Sequence, residues 1–153
     1  MNTDAFNLVR FEQAQNDCYR QVVNEITRGR KQTHWMWYIF PQLKQLGRSE
    51  ISQFYGIGSL AEAQAYLNHN VLGARLSECI KLANQHGNKR VGDIFGWPDE
   101  LKFHSCLSLF LHTATIDRGE ANSEIVDDIK KALAQFFNGA LESKTIELLR
   151  QND

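Results

Sequence analysis

The sequence predicts an all-α fold, a compact multihelical single domain of about seven helices with no significant sheet, over residues 1–153. Two observations carry this prediction. Apolar residues recur every three or four positions along most of the chain, which is the period of an amphipathic helix. In addition, no segment shows a sustained alternation of apolar and polar residues, and none places a hairpin turn between two strand-like runs. The length and the 42% hydrophobic content suit one globular domain.

The first half of the chain contains four predicted helical segments. The apolar spacing from Leu8 to Ile26 predicts one helix of about five turns, and Gly29 stands where a left-handed C-cap is expected. A short helix follows over residues 49–55. Ser59 and Glu62 have the spacing of a capping box, which should open a helix that runs through residue 67. A further apolar face spans residues 72–83.

The second half is dominated by one apolar helix. Pro98 suits a first helical position, and the predicted helix runs to about His112 with apolar residues on nearly every face, so we expect it to be central and buried. Residues 115–123 form a predicted polar loop. An amphipathic helix then ends at Asn138 and Gly139, and a last short helix contains residues 146–149.

Composition excludes several classes of protein. The formal net charge is −1, which disfavours nucleic acid as the partner of the whole surface. The sequence has no apolar run of signal-peptide length or of the roughly 20 residues that span a bilayer, so we expect a cytoplasmic protein without a membrane partner. The three cysteines lack metal or disulfide spacing and are predicted to be reduced, buried thiols. No cofactor fingerprint appears, so no cofactor or metal is expected, and the oligomeric state stays open.

All three tryptophans and both prolines lie in two short segments, residues 35–41 and residues 97–98. Such clustering indicates either an aromatic ligand pocket or a corner of the core that packs irregular backbone, and packing is the commoner use. The first segment lies in a stretch from Gly29 to Ser49 that contains no acidic residue but several basic ones. Basic residues interleaved with aromatic ones can hold phosphate and stack a base. The alternative is a solvated positive face.

The helix after Pro98 carries polar residues at intervals of three, namely Asp99, Lys102 and Ser105. They form either a structural ion pair with a neighbouring hydroxyl or one wall of a polar pocket. His34, beside two tryptophans, is the best single candidate for acid–base chemistry. Arg75 lies at the margin of its helix's apolar face, from which it could reach an anion or extend towards solvent.

The same motifs carry a resemblance that extends over nearly the whole chain. The matching pieces include Gly29-Arg30-Lys31, the run from His34 to Gln42 (HWMWYIFPQ), residues 46–49 (LGRS), residues 72–76 (LGARL) and residues 94–99 (IFGWPD) with Lys102. By these motifs the sequence is similar to a mainly bacterial family catalogued as domain of unknown function 1810. The resemblance implies a multihelical all-α fold, and it implies no established activity.

These observations lead to a functional hypothesis in which the protein binds an anionic, nucleotide- or phosphosugar-like small molecule and could act as a hydrolase or transferase. The predicted acid–base groups are His34 and Asp99, and the predicted ligand-binding residues are Trp35, Trp37, Gln42, Arg48, Arg75, Lys102 and Ser105. A non-catalytic protein-interaction domain is the main alternative. RNA binding through the basic stretch is a third hypothesis, which the near-neutral net charge opposes.

Overall fold

The computed structural model describes residues 4–116 and 122–151 and is all-α over these residues. Its helices are α1 (Val9–Asn16), α2 (Tyr19–Thr27), α3 (Met36–Ile39), α4 (Glu50–Phe54), α5 (Leu60–Asn68), α6 (Leu72–Asn84), α7 (Val91–Phe95), α8 (Asp99–Ile116), α9 (Ser123–Phe137) and α10 (Ser143–Gln151). The predicted fold class is confirmed, but the predicted number of about seven helices is wrong. The described residues form no strand, and the nearest approach to one is an isolated bridge between Leu43 and Ile57.

The described residues contain more helices than predicted because α3 and α7 are short helices that the predicted number did not include, and because the predicted five-turn helix at the start of the chain is two helices. Asp17 and Cys18 interrupt it, and Cys18 leaves helical geometry with φ −142° and ψ 5°. Asn16 and Asp17 are weak helix formers, so a break here costs little. The apolar spacing continues across the break because α1 and α2 both bury one face in the same core, through Phe11 and Val22 among others.

Two of the predicted helix ends have the expected geometry. Gly29 follows α2 with φ +75°, and Asn138 ends α9 in the left-handed region with φ 55°. The predicted capping box at the start of α5 is only half formed. The Ser59 hydroxyl accepts a hydrogen bond from the Glu62 amide, but the Glu62 carboxylate accepts from Gly58 instead of capping Ser59.

Helix α8 is the centre of the fold, as its apolar composition predicted. It packs against α3, α5, α7, α9 and α10, and its buried residues extend from Phe103 to Ala114. The helix is about one turn longer than predicted, since the first two residues of the predicted loop belong to it. Of the rest of that loop, residues 117–121 lie outside the described residues. None of the helices described is long and apolar enough to cross a bilayer.

An aromatic group at the start of α8 fixes the position of the first tryptophan segment. Phe40, which ends α3, packs edge-to-face against Phe103 of α8 at 4.9 Å and against Phe95 of α7 at 5.6 Å, measured between ring centroids. Trp35 lies 6.2 Å from Phe40 and is fully buried. These contacts bring residues 31–40 against the first turn of α8, where Asp99 and Lys102 are located.

Candidate functional site

The segment that joins α2 to α3 is held by a buried carboxylate. Glu25 accepts hydrogen bonds from the Gln32 amide (2.7 Å), from the amide and hydroxyl of Thr33 (2.9 and 2.6 Å), from the Trp35 indole N–H (2.9 Å) and from the Gln21 amide group (2.8 Å). Burial alone would raise the pKa of Glu25, but these hydrogen bonds, above all those from Thr33, lower it to about 2. The carboxylate thus fixes the backbone between the basic residues and the tryptophans.

Lys31 is the first charged residue that this segment positions. Its backbone amide donates to the Ile94 carbonyl at 2.6 Å, which ties the segment to α7. Its ammonium group lies 2.8 Å from Asp99 Oδ2 and 5.2 Å from the centroid of the Trp35 ring, and its side chain is only 7% exposed. A buried lysine requires such a counter-charge. Asp99 therefore supports Lys31, a residue far from it in the sequence that no sequence motif links to it.

Lys102 approaches the same carboxylate from within α8. Its ammonium group lies 3.4 Å from Asp99 Oδ1 and 5.5 Å from the centroid of the half-buried Trp37 ring. We name the five residues Lys31, Trp35, Trp37, Asp99 and Lys102 the Asp99 cluster. It contains two ammonium groups and one carboxylate, and each ammonium group faces the ring of a different tryptophan.

The residues next to the Asp99 cluster in the sequence are open to solvent. Trp97 precedes α8 and is 78% exposed, and Leu101, one turn further along, is 52% exposed. His34 is also exposed, and among the described residues no hydrogen bond or ion pair joins it to Asp99. An indole this exposed gains no stability from burial, so Trp97 is available for contact with another molecule.

Several predicted site residues make their contacts outside the Asp99 cluster. Ser105 donates to Glu142 at 3.5 Å beside α10. The reason is geometric, because a spacing of three residues turns about 60° per step, so Ser105 lies about 120° around α8 from Asp99. Arg75 donates to Gln15 at 3.3 Å and stacks on the Tyr19 ring, which makes it part of a polar group between α1, α2 and α6.

The two remaining predicted residues are on the loop that follows α3. The backbone carbonyl of Gln42 accepts from the Ile57 amide as part of the isolated bridge. Arg48 is exposed just before α4. Of the two predicted tryptophans, Trp35 is buried, with 1% of its surface exposed, and Trp37 is partly accessible.

The Asp99 cluster is partly buried and does not coincide with any of four clefts formed by described residues. The largest of these, about 570 Å³, includes Lys89, Arg90, Glu100 and Phe136. The others have volumes of about 460, 290 and 210 Å³. None of the four is lined by a residue of the cluster.

The described part of the chain contains no group of three histidine, cysteine or acidic side chains arranged to hold a metal ion. The three cysteines are unpaired thiols. Cys79 and Cys106 are buried as predicted, whereas Cys18 is partly exposed.

Comparisons with known proteins agree with the sequence motifs. The chain belongs to the family described as protein of unknown function (DUF1810), whose model matches residues 5–149. The fold is similar to the crystal structure of the conserved hypothetical protein Rv1873 from Mycobacterium tuberculosis, with a TM-score of 0.87 and 44% sequence identity, over 96% of this chain and 99% of that one. A search of curated proteins gave no match. Neither the family description nor the name of that protein states a ligand or a reaction.

Proposed function

We propose that the Asp99 cluster binds an anionic small molecule that carries a flat ring, of the nucleotide or phosphosugar type. The observation that carries the proposal is the convergence of Lys31 and Lys102 on the single carboxylate of Asp99. Two cations and one anion leave one positive charge in excess. A phosphate oxygen that approached Lys102 would complete the charge balance with a charge-assisted hydrogen bond.

Accessibility assigns different roles to the two lysines. The Lys31 side chain is 7% exposed and is held at 2.8 Å, so it acts as a fixed charge behind Asp99. The Lys102 side chain is 23% exposed and its contact with Asp99 is longer, at 3.4 Å. Lys102 is therefore the group that can turn towards a ligand without leaving the partly buried carboxylate of Asp99 unpaired, because Lys31 continues to neutralise it.

The ring of the ligand would meet tryptophan. Trp37 is half-buried beside Lys102, and the exposed Trp97 is two residues before Asp99. Stacking of a base on an aromatic side chain contributes about 1–3 kcal/mol. A nucleotide would use both the cations and an indole, whereas a sugar phosphate would use mainly the cations.

If the Asp99 cluster catalyses a reaction, the reaction would be a hydrolysis or a group transfer, with Asp99 or His34 as the acid–base group. Both oxygens of Asp99 already face ammonium groups, so Asp99 would accept a proton only after one lysine moved. His34 is exposed next to Trp35 and could act on a bound ligand if its ring turned over the cluster. Ligand binding is thus the part of the proposal that the geometry supports directly.

A thermal-shift and calorimetric titration tests the proposal. Nucleotides, dinucleotides, sugar phosphates and short RNA are each added to the full chain, to Lys102→Ala and to Lys131→Ala, which changes an exposed lysine of α9. A ligand at about 100 times its dissociation constant adds about 2.7 kcal/mol of stability. We expect a small anion to stabilise the wild type and Lys131→Ala but not a folded Lys102→Ala. Equal stabilisation of all three proteins, or of none, would contradict the proposal.

A protein-interaction domain is the second candidate, and one observation favours it. Trp97 and Leu101 are exposed apolar side chains one helical turn apart, and the Asp99 cluster lines none of the four clefts. Exposed aromatic residues next to a cation are typical of the centre of a protein interface. The test compares Trp97→Ala with Phe54→Ala, which changes another exposed aromatic side chain, on α4. This candidate replaces the first if no small anion binds and if Trp97→Ala abolishes a protein complex that Phe54→Ala leaves intact.

A further inference from the structure

The largest of the four clefts lies where the first turn of α8 meets α7 and the end of α9. Its volume of about 570 Å³ is within the range of small-molecule sites in proteins, about 300–1,000 Å³. Lys89 and Arg90 line it just before α7, Glu100 lines it from α8 and Phe136 from α9. We name it the Glu100 cleft. It shares no residue with the Asp99 cluster, so it is independent of the function proposed above.

Glu100 contributes a carboxylate without a partner to this cleft. Its side chain accepts no hydrogen bond and forms no ion pair within the described part of the chain. The residue is partly buried, yet neither of its carboxylate oxygens is shut off from solvent. Successive residues of a helix differ by about 100° around its axis, so Glu100 faces the cleft while Asp99 faces Lys31. Since carboxylate oxygens only accept hydrogen bonds, the group that would complete this site is a cationic donor.

The neighbouring helix α7 places the Glu100 carboxylate. A Cβ atom at Gly92 would lie 3.3 Å from Glu100 Oε1 and 3.4 Å from Oε2, which is tighter than an ordinary van der Waals contact. Both oxygens therefore lie over the backbone of α7, in the wall that Val91 and Gly92 supply to the cleft. The absence of a side chain at Gly92 leaves the carboxylate the room to lie there.

Arg90 brings a weakly held guanidinium group to the same cleft. Its side chain is 91% exposed, and its Nε lies 3.6 Å from Asp93 Oδ2, which is beyond hydrogen-bond distance. An exposed ion pair of this kind contributes little, so Arg90 can exchange Asp93 for a carboxylate of a ligand. Parallel N–H groups of a guanidinium match the two oxygens of a carboxylate. Lys89 has a different contact, because its ammonium group donates to the Gly29 carbonyl at 3.2 Å.

We infer that the Glu100 cleft binds a free α-amino acid with a large apolar side chain. The ammonium group of the ligand donates to Glu100, its carboxylate accepts from Arg90, and its side chain packs on Phe136. The spacing is suitable, because Glu100 lies over Gly92 and the Cα atoms of positions 90 and 92 are at most about 7 Å apart. The charges match as well, since two cationic and two acidic residues line the cleft and an α-amino acid is neutral overall.

The test uses L-phenylalanine as the probe, with phenethylamine and hydrocinnamate as counterparts that each lack one of its two charges. Each compound is titrated into the full chain by calorimetry at neutral pH. We expect L-phenylalanine to bind and both counterparts to bind at least about tenfold more weakly, because each loses a hydrogen bond between charged groups. Equal affinity for phenethylamine would overturn the pairing of the carboxylate with Arg90. Equal affinity for hydrocinnamate would overturn the pairing of the ammonium group with Glu100.

Two variants locate the site, and two others serve as matched controls. Glu100→Gln keeps the shape of the side chain but removes its charge, so it should weaken L-phenylalanine by about tenfold or more and leave hydrocinnamate unchanged. Arg90→Gln should weaken L-phenylalanine and leave phenethylamine unchanged. Glu147→Gln and Arg20→Gln change an exposed carboxylate of α10 and an exposed guanidinium of α2, and they should bind like the wild type.

Stability measurements and one further variant separate loss of the site from loss of the fold. Without ligand, Glu100→Gln should be as stable as the wild type in urea, because Glu100 has no partner to lose. Gly92→Ala should also weaken L-phenylalanine several-fold, since its methyl group displaces the carboxylate, while alanine favours the helix; if Glu100→Gln fails to fold, this variant decides. Failure of L-phenylalanine to bind at millimolar concentration, or undiminished binding by a folded Glu100→Gln, would overturn the inference. The nucleotide titration of the Asp99 cluster is unaffected by either result.

Discussion

The stability of the segment that carries the site should depend on the charge of Glu25. The variant Glu25→Gln keeps the shape of the protonated acid but removes one acceptor oxygen and the negative charge. The buried Trp35 indole N–H and the amides of Gln32 and Thr33 all donate to Oε1, and the carbonyl oxygen of glutamine can take this place only as a neutral acceptor. A hydrogen bond to a charged group contributes about 1.5–3 kcal/mol, against about 1 kcal/mol for a neutral one. The Gln21 amide group, which donates to Oε2, loses its acceptor because the new NH₂ group stands there.

The lowered pKa of Glu25 indicates a loss of stability of similar size. The pKa of Glu25 is lowered from 4.5 to about 2 in the folded protein, which corresponds to about 3 kcal/mol of stability when the group is ionised in both states. Because the folded pKa lies below the unfolded one, this contribution is fully present above about pH 4.5. It is lost as the pH falls through about 2.

Urea unfolding at several pH values measures the effect. We expect Glu25→Gln to be less stable than the wild type by about 3 kcal/mol at pH 7, or roughly 6–12 °C in Tm for a chain of this size. The gap should narrow between about pH 4.5 and pH 2. Glu147→Gln, a change of an exposed carboxylate on α10, is the control and should have little effect. A gap below about 1 kcal/mol at pH 7, or one that does not change with pH, would refute the assigned role of Glu25.

Three further predictions concern other named contacts. Arg10→Met leaves the buried Glu62 without its ion-pair partner at 2.7 Å, so it should lower the free energy of unfolding by about 3–5 kcal/mol. In urea titrations, the double variant with Glu62→Gln should lose less stability than the two single variants together. Strict additivity of the two losses would contradict the pairing. Lys102→Ala removes a partly exposed ion pair and should cost less than about 1 kcal/mol. A loss above about 2 kcal/mol by the same assay would mark Lys102 as structural instead of ligand-binding. In an assay that labels thiols with an aromatic disulfide, Cys18 should react in the folded protein, whereas the buried Cys79 and Cys106 should react only in denaturant. The reason is that the thiolate is the reactive form and that burial raises the pKa of Cys79 to about 12. More than one fast-reacting thiol in the folded protein would contradict the burial of these two cysteines.

Features that depend on near neighbours in the chain could be predicted from the sequence. The left-handed residues at Gly29 and Asn138 are confirmed, because a helix end is decided by the conformational freedom of one or two residues. The central position of α8 is also confirmed, since a helix that is apolar on all faces must be covered on all sides. The break after Asn16 could not be predicted from spacing, because both halves bury their apolar faces in one core.

The candidate site could be predicted only in part from the sequence. The sequence by itself determined the family and the two segments, one rich in tryptophan and one that begins with Asp99, from which the site is built. Tertiary structure alone decided that Lys31 pairs with Asp99, that Glu25 holds the backbone of the first segment, and that Arg75 contacts Gln15. The physical reason is that these contacts join residues from different elements of the chain. Packing of the core brings them together, and no local pattern encodes them. The angle of about 120° between Ser105 and Asp99, in contrast, follows from their spacing once the helix is known.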